Sequence, residues 1–284
     1  MRADLVDSVL EAYRLLPNAA VPRVLGAALG RANVALCLHR VQARTSQLVA
    51  DPANLDALIE LVLRGLPKTQ DQHLTVTFDD GYADAAAYVA SRHARYPEVK
   101  WLLFVCPEKL TKRSGFRWDA PSADGPLDVR SENDRPALRG LADADAFRLM
   151  TVAECLKIRE LPNVELGNHT NTHFKHTELS LEDSRFEMAT SRKDFETLFG
   201  PTPHFAFPFG TPGSEVRPEH TRVAHDLGYT HVWSTEPRPY EDAESRSGTA
   251  LLPRFPVVGT WPARKVALYM SIRATRWRLR KRRI

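Results

Sequence analysis

Hydrophobic positions along this chain fall into two alternating rhythms. Short continuous apolar runs end or begin at Val34–His39, Leu74–Phe78, Lys100–Val105, Val164–Gly167, His204–Phe207, Tyr229–Trp233 and Leu251–Val257. Their length and their content of Val, Leu and aromatic residues predict buried strands. Between them the spacing changes to that of helices. Leu55, Leu58, Ile59, Val62 and Leu63 mark one helix, and an Ala-rich stretch from Asp84 marks another. Thr151-Val-Ala-Glu154 has the capping-box pattern and opens a helix to about Glu160. Ser180 opens a long helix that should stop at Gly200, and Pro218–Leu227 a shorter one stopped by Gly228. Leu5, Val6, Val9, Leu10, Tyr13 and Leu16 predict an amphipathic helix at the N-terminus. About seven strands alternating with helices predict an α/β fold, a parallel sheet covered by helices.

In such folds the active site lies at the C-terminal ends of the strands. His39, Asp79, Asp80, His169 and Pro208-Phe209-Gly210 each follow directly on a β run. Residues from distant parts of the chain should therefore meet on one rim. The rhythm breaks between 107 and about 150, where Pro, Gly, Asp and Arg are scattered, and a connection that long is usually a functional loop or disordered. Its Phe116 and Trp118 are candidates for stacking on a ligand ring or for anchoring the loop.

The candidate chemistry starts at Asp79-Asp80-Gly81. Two adjacent carboxylates repel, so a chain that places them together usually has a cation nearby. His169-Thr-Asn-Thr-His173 supplies two imidazoles four residues apart, which on one helical turn would face the same way and could share a metal. Joined to Asp80 they make a His-His-Asp set with room for water, suited to a catalytic Zn²⁺. Such ligands also admit Co, Ni, Mn or Fe.

Thr77-Phe-Asp-Asp-Gly-Tyr82, Gly167-Asn-His-Thr-Asn-Thr-His173 and Phe205-Ala-Phe-Pro-Phe-Gly210 resemble, in order and spacing, the first three motifs of the NodB-homology polysaccharide deacetylases, carbohydrate esterase family 4. The resemblance covers roughly Val34 to Val258. It implies a distorted (β/α)₇ barrel, a TIM-barrel-like fold, and an N-deacetylase of glycans. By the same resemblance Asp79 is the general base, Asp80, His169 and His173 hold a divalent metal, and the backbone N–H of Phe209, in the Pro208-Phe209-Gly210 turn, meets the oxyanion. Most of the family takes its general acid from a Leu-x-His motif near the end of the domain. Here that region reads Leu252-Pro-Arg254-Phe-Pro256, while Leu36-Cys-Leu-His39 fits the motif on the first strand. First and last strands of a closed barrel are neighbours, so His39 is the general-acid candidate, an arrangement resembling that of the poly-N-acetylglucosamine deacetylases. Ala206 stands where many members carry an arginine that orients the base, and Arg254 is the candidate replacement. The family's fourth motif has no clear match.

Charge changes the picture at one end. Of the 284 residues, 43% are hydrophobic and 26% charged, an ordinary soluble balance. The net charge of +4 hides an asymmetry. No acidic residue follows Glu244, whereas eleven Lys and Arg do, leaving 28 basic against 35 acidic groups before it, a net of −7. Val266, Tyr269, Met270 and Trp277 keep helical spacing among these cations, so residues 261–284 read as a basic amphipathic tail able to lie on anionic lipid. The acidic body argues against nucleic acid. Cys37, Cys106 and Cys155 are far apart and suit buried thiols in a reducing compartment. With no signal-peptide pattern and no apolar run of spanning length, the expected location is cytoplasmic, with peripheral contact at the inner membrane face.

The expected organisation is a helical lead-in at 1–33, a catalytic domain at 34–260 with its insert at 107–150, and the tail. The expected function is metal-dependent removal of an N-acetyl group from an N-acetylated sugar of a glycan or glycolipid, in polysaccharide or envelope biosynthesis. Two alternatives stand beside it: the same fold cleaving a non-sugar amide, and a glycan-binding protein without turnover. The retained Asp79 argues against the second, because binding alone needs no base.

Overall fold

The computed structural model describes residues 17–43, 45–66, 73–116, 119, 138–139 and 147–282. The expected N-terminal helix through Leu16, Trp118 and most of the 107–150 insert lie outside the described residues.

A curled, all-parallel sheet forms the centre. Its strands are β1 (Val34–Leu38), β2 (Leu74–Phe78), β3 (Val99–Val105), β4 (Val164–Asn168), β5 (His204–Ala206), β6 (His231–Trp233), β7 (Leu251–Leu252) and β8 (Phe255–Pro256). The order across the sheet is β7-β6-β5-β4-β3-β2-β1-β8. The two edge strands are thus consecutive in sequence, separated only by Pro253-Arg254. Leu252 pairs with Trp233 at one edge, and Phe255 pairs with Leu36 at the other. One bent segment, Leu251–Pro256, therefore bridges the two ends of the sheet, and the fold is a distorted (β/α)₇ barrel. The sequence predicted this segment as one strand. Proline lacks the N–H that a continuous ladder needs, and Pro253 marks the break.

Strand parity decides what faces the lumen, because alternate side chains point to opposite faces. Val34, Leu36 and Leu38 of β1, with Leu74, Val76 and Phe78 of β2, join the outer core under the helices. Ala35, Leu102, Phe104, Ala206, Trp233 and Leu252 instead pack together as the core of the lumen, with Tyr240. Continuing the same parity places Cys37, Thr77, Asp79 and Arg254 within bonding distance of one another above that plug.

Helices α1 (Val21–Leu29), α2 (Pro52–Gly65), α3 (Ala83–Arg92), α4 (Pro107–Lys112), α5 (Val152–Ile158), α6 (Leu181–Phe199), α7 (Pro218–Asp226), α8 (Asp242–Arg246) and α9 (Ala263–Lys281) surround the sheet. Their starts follow local chemistry. Asp51 caps α2 by accepting from the Asn54 amide, Thr151 and Glu154 form the capping box of α5, and Ser180 accepts from the Asp183 amide at α6. The basic C-terminal segment is a packed helix. Val266, Ala267, Met270 and Ala274 are buried, and α9 lies against α1 and α2. The apolar face expected to meet a membrane is therefore used inside the fold, where it covers the outer surface of α1 and α2 and gains the same removal from water. No helix among the described residues is long and apolar enough to cross a membrane.

Helices α1 and α2 touch backbone to backbone. A Cβ on Gly26 would lie 2.2 Å from the Gly65 carbonyl oxygen. Gly26→Ala should accordingly destabilise the protein by about 1–3 kcal/mol, although alanine is the better helix former by about 1 kcal/mol. Urea denaturation checks this, and an unchanged or raised midpoint would show that the two helices can separate freely.

Candidate active site

The site begins at the end of β2. Asp79 continues the lumen-facing parity of Thr75 and Thr77, and Asp80 then breaks it with a φ of 76°, followed by Gly81 at 80°. Asp is among the few side chains that tolerate this left-handed region. The reversal turns Asp80 away from Asp79, so two neighbouring carboxylates enter different surroundings.

Asp79 lies in the lumen among side chains from several strand ends. Arg254 Nη1 donates to Asp79 Oδ1 at 2.6 Å and Nη2 donates to Oδ2 at 3.0 Å. The guanidinium also donates to Thr77 Oγ1 (2.9 Å) and to the Ser234 carbonyl (3.1 Å), and sits over the Phe104 ring. The Cys37 thiol donates to Asp79 Oδ2 at 3.4 Å. Arg254 is completely buried. Burial by itself would raise the Asp79 pKa, but the Arg254 charge and hydrogen bonds, together with His169 and His39, outweigh it and hold the carboxyl well below the usual range. A surface role for Arg254 is excluded by this burial. Ala206 explains the room it occupies: its methyl group fills little of the lumen, and the arginine enters from the β7–β8 bend instead.

Asp80 meets two imidazoles. Its Oδ1 lies 3.5 Å from His169 Nε2 and 3.2 Å from His173 Nε2. The ligand atoms of the three residues all fall within 4.8 Å of one another, and all three residues are buried. Both Asp80 carboxylate oxygens are buried without a hydrogen-bond partner. An ionised carboxylate without donors is costly in such a place unless a cation balances it. Burial opposes the charged form of Asp80, and the nearby His173 and other imidazoles pull its pKa below the usual value. His169 Nδ1–H donates to the Ala206 carbonyl at 2.9 Å, which leaves the Nε2 lone pair facing Asp80. Burial lowers the His169 pKa to about 4, so the imidazole is neutral near pH 7, as a ligand must be. The donor set fits a divalent metal.

The two histidines do not share a helical turn. Residues 169–175 form a loop in which Thr170 and His173 have φ values of 63° and 66°. Four-residue spacing suggested helix, but α6 clamps a different shape. Glu187 Oε1 accepts from the amides of Asn171 and Thr172 and from Thr172 Oγ1, at 2.8–3.0 Å. Asn171 Nδ2 donates to Asp194 at 2.7 Å. Phe116 and Phe209 flank the His173 ring, with centroids 5.3 and 5.2 Å away. His176 is buried, pairs with Ser184 Oγ at 2.6 Å, and is not one of the clustered ligands.

His39 leaves β1 half-buried, near enough to Asp79 and Asp80 to act electrostatically on both. No hydrogen bond engages its imidazole among the described residues. Its neighbour Arg40 is fixed by Asp84 at 3.2 Å and by the Tyr82 and Phe147 rings, which anchors the chain at this point. Phe209 has a φ of 64°. The Gly210 amide donates to the Pro208 carbonyl at 2.7 Å and Pro208 has no N–H, so Phe209 carries the one uncommitted amide of that turn. The sequence alone assigns no role at the site to Cys37, Thr77, Glu187 or Asp194. Parity could have flagged the first two, since they alternate with outward residues on β1 and β2.

Residues 67–232, more than half of the chain, match the family model for polysaccharide deacetylase. The chain belongs to the polysaccharide deacetylase family. Among solved structures it is similar to the Streptococcus pyogenes deacetylase PplD, with a TM-score of 0.60 at 14% identity over 84% of this chain and 98% of that one. It is similar also to IcaB from Ammonifex degensii, with a TM-score of 0.57 at 16% identity over 85% and 98%. A de-N-acetylase from Aggregatibacter actinomycetemcomitans gives a TM-score of 0.54 at 12% identity over 84% and 99%. At these identities the likeness is one of fold. Comparison with curated protein sequences finds no match.

In this member of the polysaccharide deacetylase family, Arg254→Met should destabilise by roughly 3–5 kcal/mol near neutral pH, because it strands a buried carboxylate. The folded pKa of Asp79 is depressed, so the pair's contribution is complete above the unfolded carboxylate value of about 3.9 and fades as pH falls below it. Denaturation of both proteins across that range checks the sign. The gap should narrow on the acid side, and a gap independent of pH would assign the loss to packing alone.

Proposed function

We propose that this protein removes the N-acetyl group from an N-acetylated sugar of a glycan or glycolipid, using a divalent metal, with Zn²⁺ first among Co, Ni, Mn and Fe. Family membership supports the reaction class. The observation that carries the rest is the buried pair Asp79–Asp80, whose members have separate partners: a cation for one and two imidazoles for the other.

Asp80, His169 and His173 would hold the metal. A bound divalent cation would supply Lewis acidity toward a water and a carbonyl oxygen. Asp79, ionised and held on both oxygens by Arg254, accepts the proton of the attacking water. Its fixed orientation leaves no freedom to collapse onto the metal ligands, which keeps base and ligand roles apart. The uncommitted Phe209 amide is the donor available to the oxyanion. His39, beside both carboxylates, delivers a proton to the departing amine. Phe209 presents its ring beside His173, and the donor it offers is its backbone amide rather than a side-chain group.

This reading places the reaction in the cytoplasm, which the three buried free thiols suit. Its setting would be polysaccharide or envelope biosynthesis. The apolar residues of α9 support no insertion into lipid, so any membrane contact would rest on charge.

Acetate release from N-acetylglucosamine oligosaccharides by the metal-loaded protein tests the proposal. Asp79→Asn and His39→Ala should each lower kcat by about 10²–10⁴-fold, and Asp80→Ala should lose metal on dialysis while staying folded. Sugar binding without acetate release under any metal would replace this reading by one of glycan binding. Full activity of His39→Ala would remove His39 from the mechanism.

A further inference from the structure

The basic end of α9 meets the end of α1 in a cavity of about 500 Å³. Arg31 lines it from the turn after α1, and Trp277, Arg278, Lys281 and Arg282 line it from the last turns of α9, with Glu241 on the wall. Four cations thus face one carboxylate across a shared space, although they come from sequence positions about 250 apart. Two of the four are accounted for. Arg278 Nη1 donates to the Ala27 carbonyl at 2.6 Å and reaches the Ala28 carbonyl at 3.5 Å, satisfying the last turn of α1. Lys281 pairs with Glu241. Arg31 and Arg282 are exposed at the cavity and have no carboxylate partner among the described residues.

Helix C-termini attract cations, which explains Arg278. It does not explain why two further arginines line the same cavity. Like charges gathered in a concave site repel and focus a positive potential into it. An anion relieves that repulsion. Guanidinium groups present planar forks of N–H donors that match phosphate oxygens, and Arg278 is already immobilised in a receiving position.

We propose that this cavity is a binding site for a phosphate-bearing anion. Because Arg31 and Ala32 lie just before the start of β1 at Val34, the cavity opens at the N-terminal end of the barrel, opposite the end that carries Asp79 and Asp80. A ligand held there does not touch the acetylated sugar. If the phosphate belongs to a membrane lipid, the catalytic rim faces away from the bilayer.

The test uses the full chain and two probes: inorganic phosphate by titration calorimetry, and sedimentation with phosphatidylcholine vesicles made with or without phosphatidic acid. The expected result is saturable binding of at least one probe, weakened at least about tenfold in the double variant Arg31→Glu/Arg282→Glu. A control variant, Lys193→Glu on the exposed face of α6, should bind as the wild type does. Retention on phosphatidic acid vesicles that phosphate competes away identifies a lipid headgroup. Phosphate binding without vesicle retention identifies a soluble phosphate ester. Absence of binding to both probes overturns the proposal, as does equal weakening by Lys193→Glu, which would reduce the effect to overall charge. Both variants lie outside the catalytic rim and should keep their melting temperature and acetate release, so this result stands apart from that of the deacetylase assay.

Discussion

The buried pair of Arg254 and Asp79 is the interaction on which the catalytic end of the barrel depends. A lone carboxylate in the lumen would take up a proton rather than stay charged, and a protonated Asp79 could not act as a base. Arg254 keeps it ionised with a two-pronged hydrogen bond. The arginine is itself held by Thr77, by the Ser234 carbonyl and over the Phe104 ring. Phe104 in turn requires Gly167, where a Cβ would lie 2.4 Å from the ring. A pair so enclosed is weak evidence for net stability. Its consequence is that one geometry and one charge state are enforced.

Around that pair the backbone adopts conformations that side-chain-bearing residues rarely choose. Asp80, Thr170, His173 and Phe209 all have positive φ, and each lies at the rim. Strain of this kind persists where the surroundings over-determine it. Here the restraints are visible: Glu187 and Asp194 on α6 hold the histidine loop, the Thr235 hydroxyl donates to the Phe209 carbonyl, and the Met150 amide donates to the Gly81 carbonyl. The rigid helices and strands thus impose the shape that brings Asp80, His169 and His173 together.

Much of the fold was legible because strand and helix periods are local properties. The runs at Val34, Leu74 and Lys100 announced buried strands, and Thr151, Ser180 and Gly200 marked helix ends through groups only a few residues away. The site motifs were legible for the same reason, each being a short stretch at a strand exit. Four-residue spacing predicts a helical turn for the two histidines, whereas the chain forms a loop, because spacing alone does not reveal the left-handed residues Thr170 and His173. The apolar face of Val266 and Met270 is visible in the sequence, but what covers it, α1 and α2, is not.

The sequence by itself determined which residues could be ligands, base and acid, and that strand parity would send alternate side chains inward. Only the tertiary structure decided which of them meet. Asp79 and Arg254 are separated by 175 residues, and nothing local to either names the other. Their contact exists because the bent segment Leu251–Pro256 closes the barrel beside β1, and because Ala206 leaves the lumen open to an arginine arriving from that side. Burial then removes the competing water, so the nearest opposite charge becomes the partner.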